Sequence, residues 1–297
     1  MRRLLSSSLA ALILAAACAT DAFAAAVVVS TSVLNGTRDA AGRKLVKTSN
    51  GDLYSVRVGT DAITGNQHLY LSRSNDQGST WAQVSTSPIV HDRDAFDQVE
   101  ASLAVDSADG LHLVWSGNCQ GLSGCSDAGG AEAKVQYSSS PAGGTAWGKW
   151  RQIPANAYEG FEGEPQLVID GNDVLHLVWT GQNSGTDYAI RYSSRSAQSA
   201  SFWVAFSTAM GPGTSPNHYL TPSLTIDTTG MLHLVAYGNN AQIHYSSKAI
   251  SASSWTGVTQ DISGYAAIYD QREPVIAVDA ANQLHVAWHG RDAGESD

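Results

Sequence analysis

The side chains of this sequence that could move protons or grip an anion collect in short polar clusters, each just ahead of an apolar run: His91-Asp92-Arg93-Asp94 with Glu100, Tyr158-Glu159 with Glu162 and Glu164, His218-Tyr219, and Tyr269-Asp270 with Arg272-Glu273. Asp61, His289 and Arg291 stand behind such runs, and Arg43 leads into the first. Carboxylates and tyrosines gathered at one place are the groups of acid–base and nucleophilic chemistry, and arginines hold planar anions in a bidentate grip. A plainer reading stands beside this one. Loops are polar whatever they do, and Glu164-Pro165 and Glu273-Pro274 also suit the beginning of a strand.

Four further histidines, His112, His176, His233 and His285, tempt a metal assignment. Each lies six residues after an aspartate (Asp106, Asp170, Asp227, Asp279), so they occupy one position of a repeat. Arranged around an axis they would stand too far apart to share an ion held at ligand distances of about 2 Å. They read as structural and the aspartates as turn caps; no metal or other cofactor is expected. Gly211-Pro212-Gly213 lacks the strand-to-helix context of a phosphate loop.

Composition narrows the partners. The 297 residues carry 17 Lys plus Arg against 27 Asp plus Glu, a formal charge of -10, which argues against nucleic acid and anionic membrane surfaces. Arg2 and Arg3 precede the apolar run Leu9 to Cys18, and Ala22-Phe23-Ala24 closes it in the small-x-small form of a signal-peptidase site, so residues 1–24 read as a signal peptide and 25–297 as one exported domain, secreted or periplasmic. Cys18 leaves lipidation open as an alternative. No later segment approaches the roughly 18 apolar residues of a membrane span, and a soluble monomer is expected. In an oxidising compartment Cys119 and Cys125, in a Gly/Ser-rich stretch, read as a disulfide, with no histidine or third cysteine at ligand spacing nearby to favour a metal pair.

The elements that must position the polar clusters are strands. A unit recurs at Ala101–Asp106 with His112 and Trp115, Pro165–Asp170 with His176 and Trp179, Pro222–Asp227 with His233, and Pro274–Asp279 with His285 and Trp288; a glycine stands eleven residues after each aspartate, at Gly117, Gly181, Gly238 and Gly290. Leu45 to Gly59 is a divergent first copy. In each copy two alternating apolar runs flank a polar turn such as Ser107–Gly110, the pattern of a tight antiparallel hairpin. A third run then ends in Tyr-Ser-Ser at Tyr137, Tyr192 or Tyr245, and a tryptophan follows at Trp147, Trp203 or Trp255. Four strands per copy, at starts 58, 64, 57 and 52 residues apart, indicate an all-β propeller of four-stranded antiparallel blades, starting near 43, 101, 165, 222 and 274. The fifth copy stops after its second strand. The expectation is a chain truncated from six or seven blades; the alternative is a five-bladed ring closed by Ala26 to Val33.

The turn Ser74-Asn75-Asp76-Gln77-Gly78-Ser79-Thr80-Trp81 matches the Asp-box, S-x-D-x-G-x-T-W, and so resembles the sialidase-like BNR propellers. A worn copy remains in Ser140, Gly144 and Trp147. Asp76 is expected to accept bonds from the turn's own backbone, Gly78 to take a positive φ, and Trp81 to pack between sheets. Leu45 to Tyr54 and Leu69 to Ser74 resemble the family's opening strands, and the close likeness covers residues 41 to 81. It has departures. The family's Arg-Ile-Pro falls on Ala41, Gly42 and Arg43, and its second carboxylate-binding arginine falls on Trp179 or Trp288.

The resemblance implies a mouth on the face opposite the Asp-box, where the clusters named above would meet as a polar ring. It also implies glycan or glycoconjugate chemistry by a tyrosine nucleophile paired with a glutamate, an aspartic acid and an arginine cluster. On that basis the catalytic candidates are Asp61, Glu100, Glu164, Tyr269, Arg272 and Glu273, and the substrate-binding candidates Arg43, Arg93, Tyr158, His218 and Arg291. Two functions follow: sialidase-like glycoside hydrolysis, or a non-catalytic propeller binding carbohydrate or protein through the same mouth.

Overall fold

The computed structural model describes residues 42–85, 88–90, 96–119, 133–153, 160–184, 187–199, 203–211, 218–238, 240–264 and 270–291. Among them every regular element is a strand. β1 (Leu45–Lys47), β2 (Leu53–Thr60), β3 (Gln67–Ser74) and β4 (Ala82–Gln83) form the first sheet, hydrogen-bonded in that order. β5 (Gln98–Val105), β6 (Leu111–Gly117), β7 (Lys134–Ser140) and β8 (Arg151–Gln152) form the second, and β9 (Glu162–Ile169), β10 (Val174–Ser184), β11 (Asp187–Ser196) and β12 (Ser207–Met210) the third. β13 (Tyr219–Ile226), β14 (Met231–Gly238), β15 (Gln242–Ala249) and β16 (Gln260–Asp261) make the fourth, while β17 (Gln271–Val278) and β18 (Leu284–Gly290) pair as a fifth. All pairings are antiparallel.

The leading strands of successive sheets pack on one another, β5 on β9, β9 on β13 and β13 on β17, the radial order of propeller blades; no comparable packing joins the first and fifth sheets among the described elements, and Ala26 to Val33, which a five-bladed closure would use, lie outside the described residues. The core is accordingly a series of clusters between sheets. Val56, Leu69 and Leu71 meet Leu103, Leu111 and Leu113; Val114 and Val135 meet Leu167, Leu175 and Leu177; Val178 and Ile190 meet Leu224, Leu232 and Leu234. Sheets covered on both faces bury most of their second strands, and β6 is buried at every residue. In the fifth sheet Leu284 and Trp288 are 39% and 36% exposed, whereas their counterparts Leu111 and Trp115 are fully buried.

The six-residue Asp-to-His offset has a mechanical cause. Asp106 Oδ1 caps its hairpin by accepting from the N–H groups of Ala108 (3.0 Å) and Gly110 (2.7 Å), while Oδ2 meets His112 Nε2 at 3.1 Å and His112 Nδ1 meets the Tyr137 hydroxyl at 2.8 Å. The same bridge from turn to second and third strand recurs as Asp170–His176–Tyr192 and Asp227–His233–Tyr245. Both ring nitrogens of these histidines are therefore engaged. The tyrosines in turn receive the edge of the next sheet's tryptophan, Tyr137 from Trp203 and Tyr192 from Trp255, at 5.5 and 5.4 Å.

The Ser74–Trp81 turn closes as its residue types dictate. Asp76 accepts from Thr80 N and Thr80 Oγ1 at 2.8 and 2.6 Å, Ser74 Oγ accepts from Gly78 N at 2.8 Å, and Gly78 sits at φ 90°. The Thr80 and Ser74 hydrogen bonds hold the Asp76 carboxyl down at about 2.

Blade starts differ from the expected positions by three residues. β5, β9, β13 and β17 begin at Gln98, Glu162, Tyr219 and Gln271, because the residues taken as strand starts form bulges inside the strands. Glu100, Glu164, Thr221 and Glu273 lie at φ 54°, 55°, 48° and 50°, and the ladder shifts register at each. Proline follows three of the four, where no ladder donor is needed.

Candidate functional site

The bulges build the rim of the molecule and connect its sheets. Glu100 Oε2 accepts from the backbone N–H of Glu164 at 2.8 Å. Glu164 Oε2 accepts from the N–H of Thr221 at 2.7 Å and from Thr180 Oγ1 at 2.6 Å. Each glutamate thus satisfies the left-handed residue of the next sheet's bulge, a group that the interrupted ladder leaves without its regular partner. The series stops at the fourth sheet, because Thr221 has no carboxylate to extend toward Glu273.

A cavity of about 420 Å3 lies at that interruption, lined by His218, Leu220, Thr221, Tyr237, Arg272 and Glu273. Its volume is within the range of about 300–1,000 Å3 typical of small-molecule sites. β13 supplies Leu220 and Thr221, the end of β14 supplies Tyr237, and β17 supplies Arg272 and Glu273. Tyr237 occupies the place before the repeat glycine that Ser116 and Thr180 hold elsewhere. Those two are small and turn inward, Ser116 Oγ donating to the Glu162 carbonyl at 3.2 Å and Thr180 to Glu164.

Arg272 is ion-paired with Asp270, the residue just ahead of β17, and the pairing raises its pKa. Burial, reinforced by the Asp270 carboxylate, pushes the Tyr237 phenol up, so Tyr237 rests protonated beside an acceptor. His289 Nδ1 stands 3.7 Å from Glu273 Oε2. His218 lies against Tyr188 with ring centroids 5.5 Å apart. The cavity therefore brings together a hydroxyl, a carboxylate and an imidazole, with the Asp270 carboxylate adjoining through Arg272 and Tyr237, the components of proton transfer to and from a bound hydroxyl or ether oxygen.

Of the residues picked from sequence, His218, Arg272 and Glu273 meet here. Arg291 is exposed beside them, its N–H donating to the Asp270 carbonyl at 3.1 Å. Glu100 and Glu164 belong to the inter-sheet series instead. Asp61 is buried in the first sheet's loop and caps it, accepting from Ile63 N at 2.9 Å and Thr64 N at 3.0 Å. Arg43 is exposed ahead of β1, and its carbonyl accepts from Leu103 N at 2.7 Å, tying the first two sheets. Arg93, Tyr158 and Tyr269 lie outside the described residues, as does Cys125; Cys119 is fully buried. Tyr237 and Thr221 escaped the sequence reading. The signal was a position that changes from blade to blade while its neighbours repeat: Ser116, Thr180, Tyr237, His289 before the glycine, and Glu100, Glu164, Thr221, Glu273 at the bulge.

A second polar cluster joins the third sheet to β7 of the second. Glu162, 1% exposed, is ion-paired with Arg191, whose Nη2 also donates to the Gln182 carbonyl at 2.5 Å and whose guanidinium lies 4.8 Å from the Phe206 ring centre. Lys134 Nζ donates to the Gly160 carbonyl at 2.9 Å. Burial pushes the Glu162 carboxyl up to about 7 against the opposing pull of the Arg191 and Lys134 charges.

No protein-family model matches this chain, and no curated protein resembles it in sequence. Solved structures do resemble it in fold. An alpha-L-arabinanase of Penicillium chrysogenum complexed with arabinobiose superposes with a TM-score of 0.61 at 15% identity, over 82% of this chain and 73% of that one. The NanB sialidase of Streptococcus pneumoniae gives 0.51 at 10% identity over 89% and 68%, and a Trypanosoma rangeli sialidase 0.54 at 11% over 81% and 42%. The fold is that of the propeller glycosidases.

Proposed function

We propose that this is an exported, monomeric glycan-acting propeller that cleaves glycosidic bonds at the cavity between the fourth and fifth sheets. The observation that carries this reading is the meeting of Tyr237, Asp270 and Glu273 at the one rim position where the inter-sheet glutamate series breaks. In this reading Glu273 delivers its proton to the departing glycosidic oxygen as the Tyr237 hydroxyl, its proton passing to Asp270, bonds to the anomeric carbon; water, giving its proton to the Glu273 carboxylate, then displaces Tyr237, which takes its own proton back from Asp270. The fold shared with arabinanase and sialidase structures supports a glycan as substrate. Export follows from the amino-terminal sequence, and a Cys119–Cys125 disulfide from export; alkylation of two thiols in the unreduced exported protein would disprove the bond.

A second reading, carbohydrate binding without turnover, draws on a specific observation: Glu100 and Glu164 are committed to neighbouring bulges and Arg272 to Asp270. Turnover of a panel of fluorogenic glycosides, sialosides included, separates the two. Release of the fluorophore, lost in Glu273→Gln and in Tyr237→Phe, supports hydrolysis, whereas glycan binding with no release by the wild type supports the binding reading.

A further inference from the structure

The hydrogen-bonding state of the cavity says more about what it would hold. Three buried side-chain atoms around it have no hydrogen-bond partner among the described residues: His218 Nδ1, Thr221 Oγ1 and Asp270 Oδ1. Such groups each cost about 1–3 kcal/mol when left unmet, and here two of them belong to residues that line the cavity, His218 and Thr221, while the third, on Asp270, adjoins it through the ion pair with the lining Arg272. A carboxylate oxygen accepts only, a threonine hydroxyl donates and accepts, and an imidazole nitrogen does either according to tautomer. The ligand that meets all three carries several hydroxyl groups.

Charge excludes the anionic members of that class. Glu273 lines the cavity with a carboxylate, and Arg272, the cation among the lining residues, is already paired with the adjoining carboxylate of Asp270. Arg291, like Asp270, is not itself among the lining residues. In the third sheet Arg191 is held by Glu162, and in the second Lys134 by the Gly160 carbonyl. A sugar carboxylate entering the cavity would therefore approach two like charges with its counter-ion engaged. The chain's overall charge of -10 adds long-range repulsion of the same sign. Neutral hydroxyls, by contrast, are donors that unpaired carboxylate oxygens bind well.

Resting on the glycan-acting reading of this cavity, we propose that its ligand is a neutral saccharide, held through its hydroxyls by Asp270, Thr221 and His218, and that carboxylated sugars are rejected. Thr221→Val is the informative variant. It deletes a hydroxyl that makes no bond in the protein while keeping the β-branched shape and the backbone N–H that donates to Glu164, so the folded state keeps its stability.

The experiment measures affinity for neutral arabino-, galacto- and gluco-oligosaccharides and for their sialylated or uronic counterparts, using wild type, Thr221→Val and Asp270→Asn. The expected result is preference for neutral forms, weakened about tenfold in each variant, as the loss of one ligand hydrogen bond implies, with the Thr221→Val unfolding midpoint unchanged or raised. Tighter binding of the carboxylated forms would overturn the neutral-sugar inference and leave the glycan-acting reading standing. Neutral binding untouched by both variants would remove the sugar from this cavity. No binding to any saccharide would defeat both.

Discussion

Glu164 Oε2 and the backbone N–H of Thr221 are 2.7 Å apart, a hydrogen bond that crosses from the third sheet to the fourth. The same oxygen takes the Thr180 hydroxyl. A glutamate that resembles a catalytic base by position is thus, in this molecule, the acceptor that completes a neighbouring bulge.

Glu164→Ala should therefore lower stability by about 1–3 kcal/mol, since it strands a bulge amide and a hydroxyl without an acceptor, whereas Glu164→Gln, which keeps an acceptor oxygen and the shape, should lose much less. Urea unfolding of the two variants checks this. Wild-type stability in Glu164→Ala together with complete loss of activity in Glu164→Gln would return the residue to a catalytic role.

The strands and hairpins were legible because alternation and turn chemistry are local, and the Asp106–His112 offset could be read because a short hairpin, closed by the Asp106 N–H on the Gly110 carbonyl, fixes how far the chain travels between cap and ring. The bulges were not. Glu164-Pro165 reads equally well as the start of a strand, and only the register of the partner strand reveals that Gly163 already pairs with Thr180. The cavity was harder still. Glu164 and Glu273 both stand just before a proline at a bulge, and what separates them is the residue offered by the adjoining sheet, Glu100 behind Glu164 but Thr221 behind Glu273. Tyr237 mattered for the same reason: its importance comes from standing where the other blades place a small hydroxyl.

The buried Glu162 gives a pH signature. Below its unfolded value of 4.5 the group is protonated in both states; as pH rises, the unfolded chain releases the proton while the folded protein retains it until about 7. Stability associated with this group is thus present in acid and lost as pH rises through about 7. The stability difference between wild type and Glu162→Gln, measured by denaturant unfolding from pH 5 to 8, should move against the wild type as pH increases. A difference independent of pH would show that Glu162 is ionised throughout.

The repeat glycines should be intolerant for a packing reason. A Cβ on Gly181 would lie 2.4 Å from Arg191 Nε, and Arg191 is fixed by its ion pair with Glu162. Gly181→Ala should cost about 1–3 kcal/mol through overpacking, whereas Gly171→Ala, with nothing within 4 Å of the added carbon, should stay within about 0.5 kcal/mol of wild type. Thermal unfolding of the pair supplies the comparison.

The central claim, that a glycan is handled between the fourth and fifth sheets, is tested most directly by a crystal structure with a neutral oligosaccharide bound. The account predicts sugar hydroxyls against Thr221 Oγ1 and the Asp270 carboxylate, with the ring beside Tyr237 and Glu273. Sugar seated instead in the cavity of about 210 Å3 that Trp147, Trp150 and Pro88 line between the first two sheets, with the Tyr237 cavity free of it, would contradict the claim.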